Sequence, residues 1–208
     1  MGIDLSACPP AEHNGTGPLR LLFVGRIARV RRLELILEAL RLLEMDWELT
    51  LVGGEEKTSS VTRGGYLEEL QSRARALGIE ERVKFAGPRP PEALSDCYRA
   101  ADLFIYPSRY ENFGQPLLEA AAHGLPLVAT AVGVTESLLV DEATGLPLGD
   151  DRPETLAEAV RQWEPPEKRR RAGAALRRRV DRFFSWEAVL KAYLDLYRSF
   201  GVEAPPAL

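Results

Sequence analysis

The stretch E-N-F-G-Q-P-L-L-E, residues 111–119, sets a carboxylate at each end of a segment that holds a glycine, an amide and a proline. Pro116 fits the first turn of a helix, where its missing N–H would have had no helical partner. A helix starting there directs the N–H groups of Gly114, Gln115, Leu117 and Leu118 out of its end, where the peptide dipoles add partial positive charge. Such an end suits a diphosphate. Ionised carboxylates only accept hydrogen bonds, so Glu111 and Glu119 suit hydroxyl groups instead. Glu119, about a turn inside the helix, is placed for a vicinal diol such as a ribose, and Glu111, on the preceding loop, for hydroxyls beyond the phosphates. A ligand with hydroxyls at both ends and phosphate between them is a nucleotide sugar. Taken singly, each glutamate also reads as a dipole or capping partner or a surface loop charge.

A second cluster, G-R-I-A-R-V-R-R at 25–32, brings Arg26, Arg29, Arg31 and Arg32 to the end of an apolar run. Guanidinium groups pair with phosphate oxygens in a bidentate way. Arg26, beside Gly25 where the backbone must turn tightly, reads as a phosphate ligand. Arg29 and Arg32 read as the solvated start of an amphipathic helix.

These residues need elements to position them. Short apolar runs ending in glycine or proline alternate with segments of helical period, the pattern of a parallel sheet covered by helices. The runs are 21–24, 48–52, 82–86, 103–107, 126–130 and a sixth candidate at 144–148. Leu33, Ile36, Leu37, Leu40 and Leu43 form one helical stripe, and Leu67, Leu70, Ala74 and Leu77 another, with Gly78 as its left-handed terminator. Further helices are expected over 154–162, 167 to about 184, and 186–200. The fold class is therefore α/β: a Rossmann-like doubly wound parallel sheet of about six strands, helices on both faces and extra C-terminal helices. Such sheets bind ligands outside the carboxyl ends of their strands, where both clusters fall. Residues 1–18 read as an extended or loosely ordered, linker-like lead-in, 19–208 as the ligand-binding domain, and 53–65 as a mobile loop.

Bulk properties limit the alternatives. The chain has 208 residues, 45% of them apolar, and a net charge of -4 from 27 basic and 31 acidic side chains. That balance offers no global attraction for nucleic acid, so an anionic ligand needs a local site. Cys8 and Cys97 fit neither a metal site nor a disulfide framework, which suggests a reducing, cytoplasmic setting. Asn14 opens a glycosylation sequon that is relevant only to a secreted protein. With only His13 and His123 and no clustered cysteines, no metal is expected. His123 reads as a structural cation at a helix end. The arginine-rich face of 167–184 reads as solvated surface, with weak attraction to an anionic membrane as the alternative.

V-G-R-I, R-V-K-F-A-G, A-A-D-L-F-I-Y-P-S, E-N-F-G-Q-P-L-L-E-A-A-A-H-G-L-P-L-V-A-T, T-G-L-P-L and the closing F-S-W-E-A-V-L-K-A-Y-L-D-L-Y together resemble the carboxyl-terminal half of the family 4, or group 1, retaining glycosyltransferases. The resemblance runs in order through about residues 20–200. It implies a GT-B architecture in which this half binds a UDP- or GDP-sugar and a separate amino-terminal half binds the acceptor. By that resemblance Arg26 and Arg31 neutralise the diphosphate, with Arg31 at a position usually held by lysine and Arg32 at one usually held by glycine. Glu111 would touch sugar hydroxyls, with Gly25, Asn112 and Phe113 bordering the same crevice. Gly114 and Gln115 would offer amides, joined by Leu118. Glu119 would hold the ribose, and Lys84, Phe85 and Ala86 would border the base, largely through backbone. The resemblance implies no cofactor beyond the nucleotide sugar as substrate. Its partner is the acceptor-binding domain, which this sequence lacks, so the chain alone is expected to bind donor without transferring sugar. Two other readings remain: a stand-alone nucleotide-binding module, and a GT-B-like nucleotide-sugar epimerase. No G-x-G-x-x-G follows the first strand, which argues against a dinucleotide oxidoreductase.

Overall fold

The computed structural model describes residues 1–12, 17–55, 65–145 and 147–201. His13, the Asn14 sequon, most of the 53–65 loop and Leu146 lie outside the described residues. Five strands, β1 (Leu19–Val24), β2 (Trp47–Val52), β3 (Val83–Gly87), β4 (Leu103–Tyr106) and β5 (Leu127–Ala129), form one parallel sheet in the order β3-β2-β1-β4-β5. The sixth candidate forms no strand among the described residues. It contributes one parallel bridge, Thr130 to Leu148, where the Leu148 amide donates to the Ala129 carbonyl at 2.8 Å.

Among the described residues eight α-helices connect and cover the sheet: α1 (Leu33–Arg41), α2 (Tyr66–Ala76), α3 (Pro91–Ala100), α4 (Gln115–Ala122), α5 (Thr135–Leu138), α6 (Pro153–Arg161), α7 (Pro166–Phe184) and α8 (Trp186–Ser199). Winding reverses after β3, so right-handed crossovers carry α3 and α4 over the face opposite α1 and α2. α1 packs against α2 and α6, and α4 packs against α7. With both faces covered, every residue of β4 is buried, which explains its unbroken apolar sequence. Gly78 ends α2 at φ 67°, and the amides of Gly78 and Ile79 return to the carbonyls of Arg75 and Ala74 at 3.0 Å. α3 opens on Pro91, in a proline pair that sequence reading had not assigned to a helix start.

The described part of the lead-in, residues 1–12, holds a short 3-10 turn at Leu5–Ala7 and is fastened to the domain. The Ile3 amide donates to the Phe184 carbonyl at 2.8 Å, the Ala11 amide to His123 at 2.7 Å, and Ile3 and Cys8 are buried. The arginine run of α7 is likewise only partly a solvated face. Arg169 is buried and donates to the Trp163 carbonyl at 2.7 Å, while Arg177 reaches the carbonyls of Leu5, Cys8 and Ala122. Arg171, Arg178 and Arg182 remain exposed. α8 buries none of its residues, and Trp186, Leu190, Tyr193, Leu194 and Tyr197 present an apolar surface. No described helix is long and apolar enough to cross a membrane.

Candidate functional site

β1 and β4 are neighbours whose connections leave in opposite directions, so a crevice opens between their carboxyl ends. Both sequence clusters lie on its two lips. Backbone bonds hold the rim: the Gly25 amide donates to Val52 at 3.0 Å, Gly53 to Gly87 at 3.0 Å, and Ile27 to Gly54 at 2.9 Å. A Cβ on Gly53, at φ 143°, would lie 1.8 Å from the Gly25 carbonyl oxygen, so only glycine lets the two strand ends meet.

Arg31 does not extend into solvent. Its side chain is 8% exposed, and its guanidinium pairs with the Glu111 carboxylate at 2.7 Å. It also donates to Ser108 Oγ at 3.0 Å and to the Tyr110 carbonyl at 2.9 Å, and it lies 5.3 Å from the centre of the Tyr106 ring. The Tyr106 hydroxyl donates to the same Glu111 oxygen, Oε2, at 2.7 Å, and the Asn112 amide to Oε1 at 3.1 Å. Burial, then the bond to Glu111, pushes the Tyr106 phenol well above its ordinary range, while Arg31 and the exposed Arg26 pull the other way. Arg26, Arg31, Tyr106 and Glu111 thus share one electrostatic neighbourhood.

The loop carrying Glu111 is clasped from the other side. The Val134 amide donates to the Phe113 carbonyl at 2.7 Å, and a Cβ on Gly133, at φ 55°, would lie 2.4 Å from that oxygen. Gly114, at φ 87°, turns the chain into α4. Here the structure corrects one expectation. The amides of Leu117 and Leu118 both donate to the Gly114 carbonyl, at 2.9 and 3.3 Å, and both side chains are fully buried. Leu118 therefore belongs to the core and does not offer a free donor. The amides of Gly114 and Gln115 meet no protein acceptor among the described residues, and they constitute the open end of α4.

Glu119 sits one turn further on, in a neutral cradle. The buried Tyr98 hydroxyl donates to its Oε2 at 2.8 Å and the Gln115 side-chain amide to its Oε1 at 3.2 Å. With Asp4, Cys8, Leu94 and Ser95, these groups border a cavity of about 230 Å³ between the first turns of α3 and α4. Burial, and next the charge of Glu119, pushes the Cys8 thiol up. His123, the C-cap of α4, is buried. Its Nδ1 donates to the Glu119 carbonyl at 2.9 Å and its Nε2 accepts from Ser95 Oγ at 3.0 Å. Burial moves its pKa down, so it is a neutral imidazole and not the cation expected at that helix end.

Two further corrections concern placement. β3 ends at Gly87, and Lys84 lies back from that edge, beside Glu48, Asp96 and Cys97 in a separate groove of about 350 Å³. Phe85 and Ala86 are closer to the strand end and half-buried. Arg29 is solvated and pairs with Glu69 at 2.5 Å, as expected, whereas Arg32 is buried at 5% exposure. Asn112 is exposed and accepts from the Tyr110 hydroxyl. Sequence reading had not singled out Tyr98, Tyr106, Ser108 or Gly133. A tyrosine inside an otherwise apolar strand such as L-F-I-Y is the available signal, because a buried phenol needs an acceptor. The larger surface hollows, about 570 and 690 Å³, lie around Trp163 and not at this crevice.

A doubly wound parallel sheet with arginines, carboxylates and an open helix end at its switch point defines a nucleotide-binding domain of the Rossmann-like kind. The family described as glycosyl transferases group 1 matches residues 10–179, and the chain belongs to it. It corresponds to the carboxyl-terminal half of such enzymes and spans about half the length of the curated relatives it matches. A D-inositol 3-phosphate glycosyltransferase of Corynebacterium urealyticum is 36% identical over 182 residues, covering 85% of this chain and 42% of its own. Sucrose-phosphate synthase from Thermosynechococcus elongatus superposes with a TM-score of 0.83 at 30% identity, over 96% of this chain and 51% of that one. Anabaena HepE, solved in complex with UDP, gives a TM-score of 0.82 at 20% identity, over 95% and 56% of the two chains.

Proposed function

We propose that this domain binds the UDP- or GDP-sugar donor of a retaining glycosyltransferase that passes the sugar to an acceptor hydroxyl. One observation carries the reading: Arg31 and Glu111 meet beside the two open amides of α4 at the switch point. In this reading the diphosphate lies against the amides of Gly114 and Gln115 and is neutralised by Arg26 and Arg31. As the sugar departs, negative charge grows on the diphosphate, and donors already in position stabilise it without reorganisation. These cations make the reaction metal-independent, with no cofactor beyond the donor. Glu111 accepts from sugar hydroxyls and Glu119 from the ribose, while Phe85 and Ala86 border the base.

Residues 19–208 are taken as the donor domain and 1–18 as linker, with the acceptor supplied by an amino-terminal domain. The uncovered apolar face of α8 supports a partner domain of this kind, because contiguous exposed apolar surface marks an interaction site. The free Cys8 and Cys97 favour a cytoplasmic setting, and the exposed Arg171, Arg178 and Arg182 a weak peripheral contact with anionic membranes. Calorimetric titration with UDP, GDP and their sugars tests the reading. Binding of one nucleoside diphosphate is expected, weakened by Glu119→Gln while inorganic pyrophosphate binding is unchanged. Failure of both nucleotides to bind would overturn it.

A further inference from the structure

Arg32 is the only residue other than glycine with a positive φ among the described residues, at φ 52° and ψ 48°. An L side chain in this left-handed region is strained and persists only where its surroundings hold it. The restraints are visible. Arg32 Nε donates to the Pro107 carbonyl at 2.6 Å, and its guanidinium pairs with Asp151 at 2.5 Å, with the side chain 5% exposed. Pro107 closes β4, so Arg32 ties the loop after β1 to the loop that leads to Glu111.

Neighbouring bonds run along the same line. The Arg109 amide donates to the Val30 carbonyl at 2.9 Å, Ser108 Oγ donates to Val30 at 3.2 Å, and Arg31 reaches Ser108, Tyr110 and Glu111. Arg31 and Arg32, adjacent in sequence, thus bond one and the same loop, at Glu111 and at Pro107. Burial lowers the pKa of Arg32 and Asp151 opposes that shift, so the acid also helps to keep the guanidinium charged in place.

We propose that Arg32 is a positioning residue: by anchoring the loop after β1 on Pro107 and Asp151, it sets the Arg31 guanidinium against Glu111 at the phosphate side of the crevice. The inference rests on the donor-binding reading for its ligand, though not for its geometry.

Arg32→Gly is the informative variant, because glycine accepts the left-handed backbone and removes only the anchor. Two readouts separate the questions. Amide hydrogen exchange of Arg109 in the ligand-free protein reports whether the two loops stay joined, and about tenfold faster exchange is expected, with thermal stability retained. Calorimetry with UDP and GDP reports the consequence for Arg31, and roughly tenfold weaker binding is expected, since small misplacements of a positioned charge are costly. Arg32→Lys keeps a charge for Asp151 but loses the planar fork to Pro107, and it should fall between the two. Wild-type values of both readouts in Arg32→Gly would overturn the positioning role. If the wild-type chain binds neither nucleotide, the donor reading fails while the exchange measurement still decides the role of Arg32.

Discussion

The seam between β1 and β4 carries an arginine–carboxylate pair with one buried and one half-buried partner at each end, and the two pairs are finished differently. At the amino end, Asp102 is 2% exposed at its side chain. It accepts from the Arg20 amide at 3.1 Å, from Arg20 Nε at 2.8 Å and from Nη2 at 3.1 Å, with Arg169 at 3.8 Å. Asp102 in turn holds the Arg20 guanidinium above its ordinary range. At the carboxyl end, Glu111 accepts from Arg31, Tyr106 and the Asn112 amide, and beside it lie two amides that meet no protein acceptor among the described residues. Burial and ion pairing are common to both ends and so do not mark a site. The open helix end beside the pair does.

Removing one partner at each end should separate stability from binding. Asp102→Ala leaves Arg20 and Arg169 without their acid in the interior, and it should cost about 3–5 kcal/mol of unfolding free energy, read as a lower urea midpoint. That is a large share of the roughly 5–15 kcal/mol that holds a typical domain together. Nucleotide affinity of the folded fraction should stay at the wild-type value. Arg31→Met should do the reverse. Glu111 keeps Tyr106 and the Asn112 amide, so the urea midpoint should fall less than in Asp102→Ala. Diphosphate affinity should drop about ten- to a hundredfold, the worth of a charge-assisted contact of about 1.5–3 kcal/mol. Equal losses of stability and affinity in the two variants would erase the distinction between the two ends.

How legible this was follows from what each residue depends on. The apolar runs of β1 to β5 and the stripe of α1 are local patterns, and a chain with both sheet faces covered must write its strands that way. Pro116 and Gly114 announced the start of α4 for equally local reasons. Among its described residues the sixth run reaches the sheet edge by one bridge, at Leu148, which is decided by the end of β5 and not by its own composition. Tertiary position also explains the errors in charge. Arg29 and Arg32 look alike in sequence, yet one pairs with Glu69 in solvent and the other is buried against the Pro107 carbonyl, a difference set by what the fold places opposite each. Leu118 was misjudged because, with Gly114 as the N-cap, its amide is the first to make the regular bond back to the cap carbonyl and so is not among the open ones. Tyr98 and Gly133 act only through partners far along the chain, Glu119 and the Phe113 carbonyl, which no local pattern reveals.

Glu119 gives the comparison a third term, a carboxylate held without any cation among its hydrogen-bond donors, and its cradle can be probed by pH. His123 stacks on Tyr98 with ring centres 4.9 Å apart and bonds the Glu119 carbonyl, so it forms the floor of that cradle. Burial lowers its pKa from the usual 6.5, the bond to Glu119 opposes that shift, and the charges of Arg177 and Arg99 add to it. The folded protein therefore binds fewer protons than the unfolded chain once pH falls below the unfolded value, and stability must decline on acidification through that window. Above about pH 6.5 the imidazole is neutral in both states and this contribution is flat. The urea midpoint of the wild type should thus fall between about pH 7.5 and pH 5.5 by more than that of His123→Gln, which keeps hydrogen-bonding capacity but cannot charge. Shared acidic groups act in both proteins, so the difference between the two curves isolates the imidazole. Parallel curves would mean that His123 titrates alike folded and unfolded, and that burial at the floor of the Glu119 cradle does not hold the imidazole neutral.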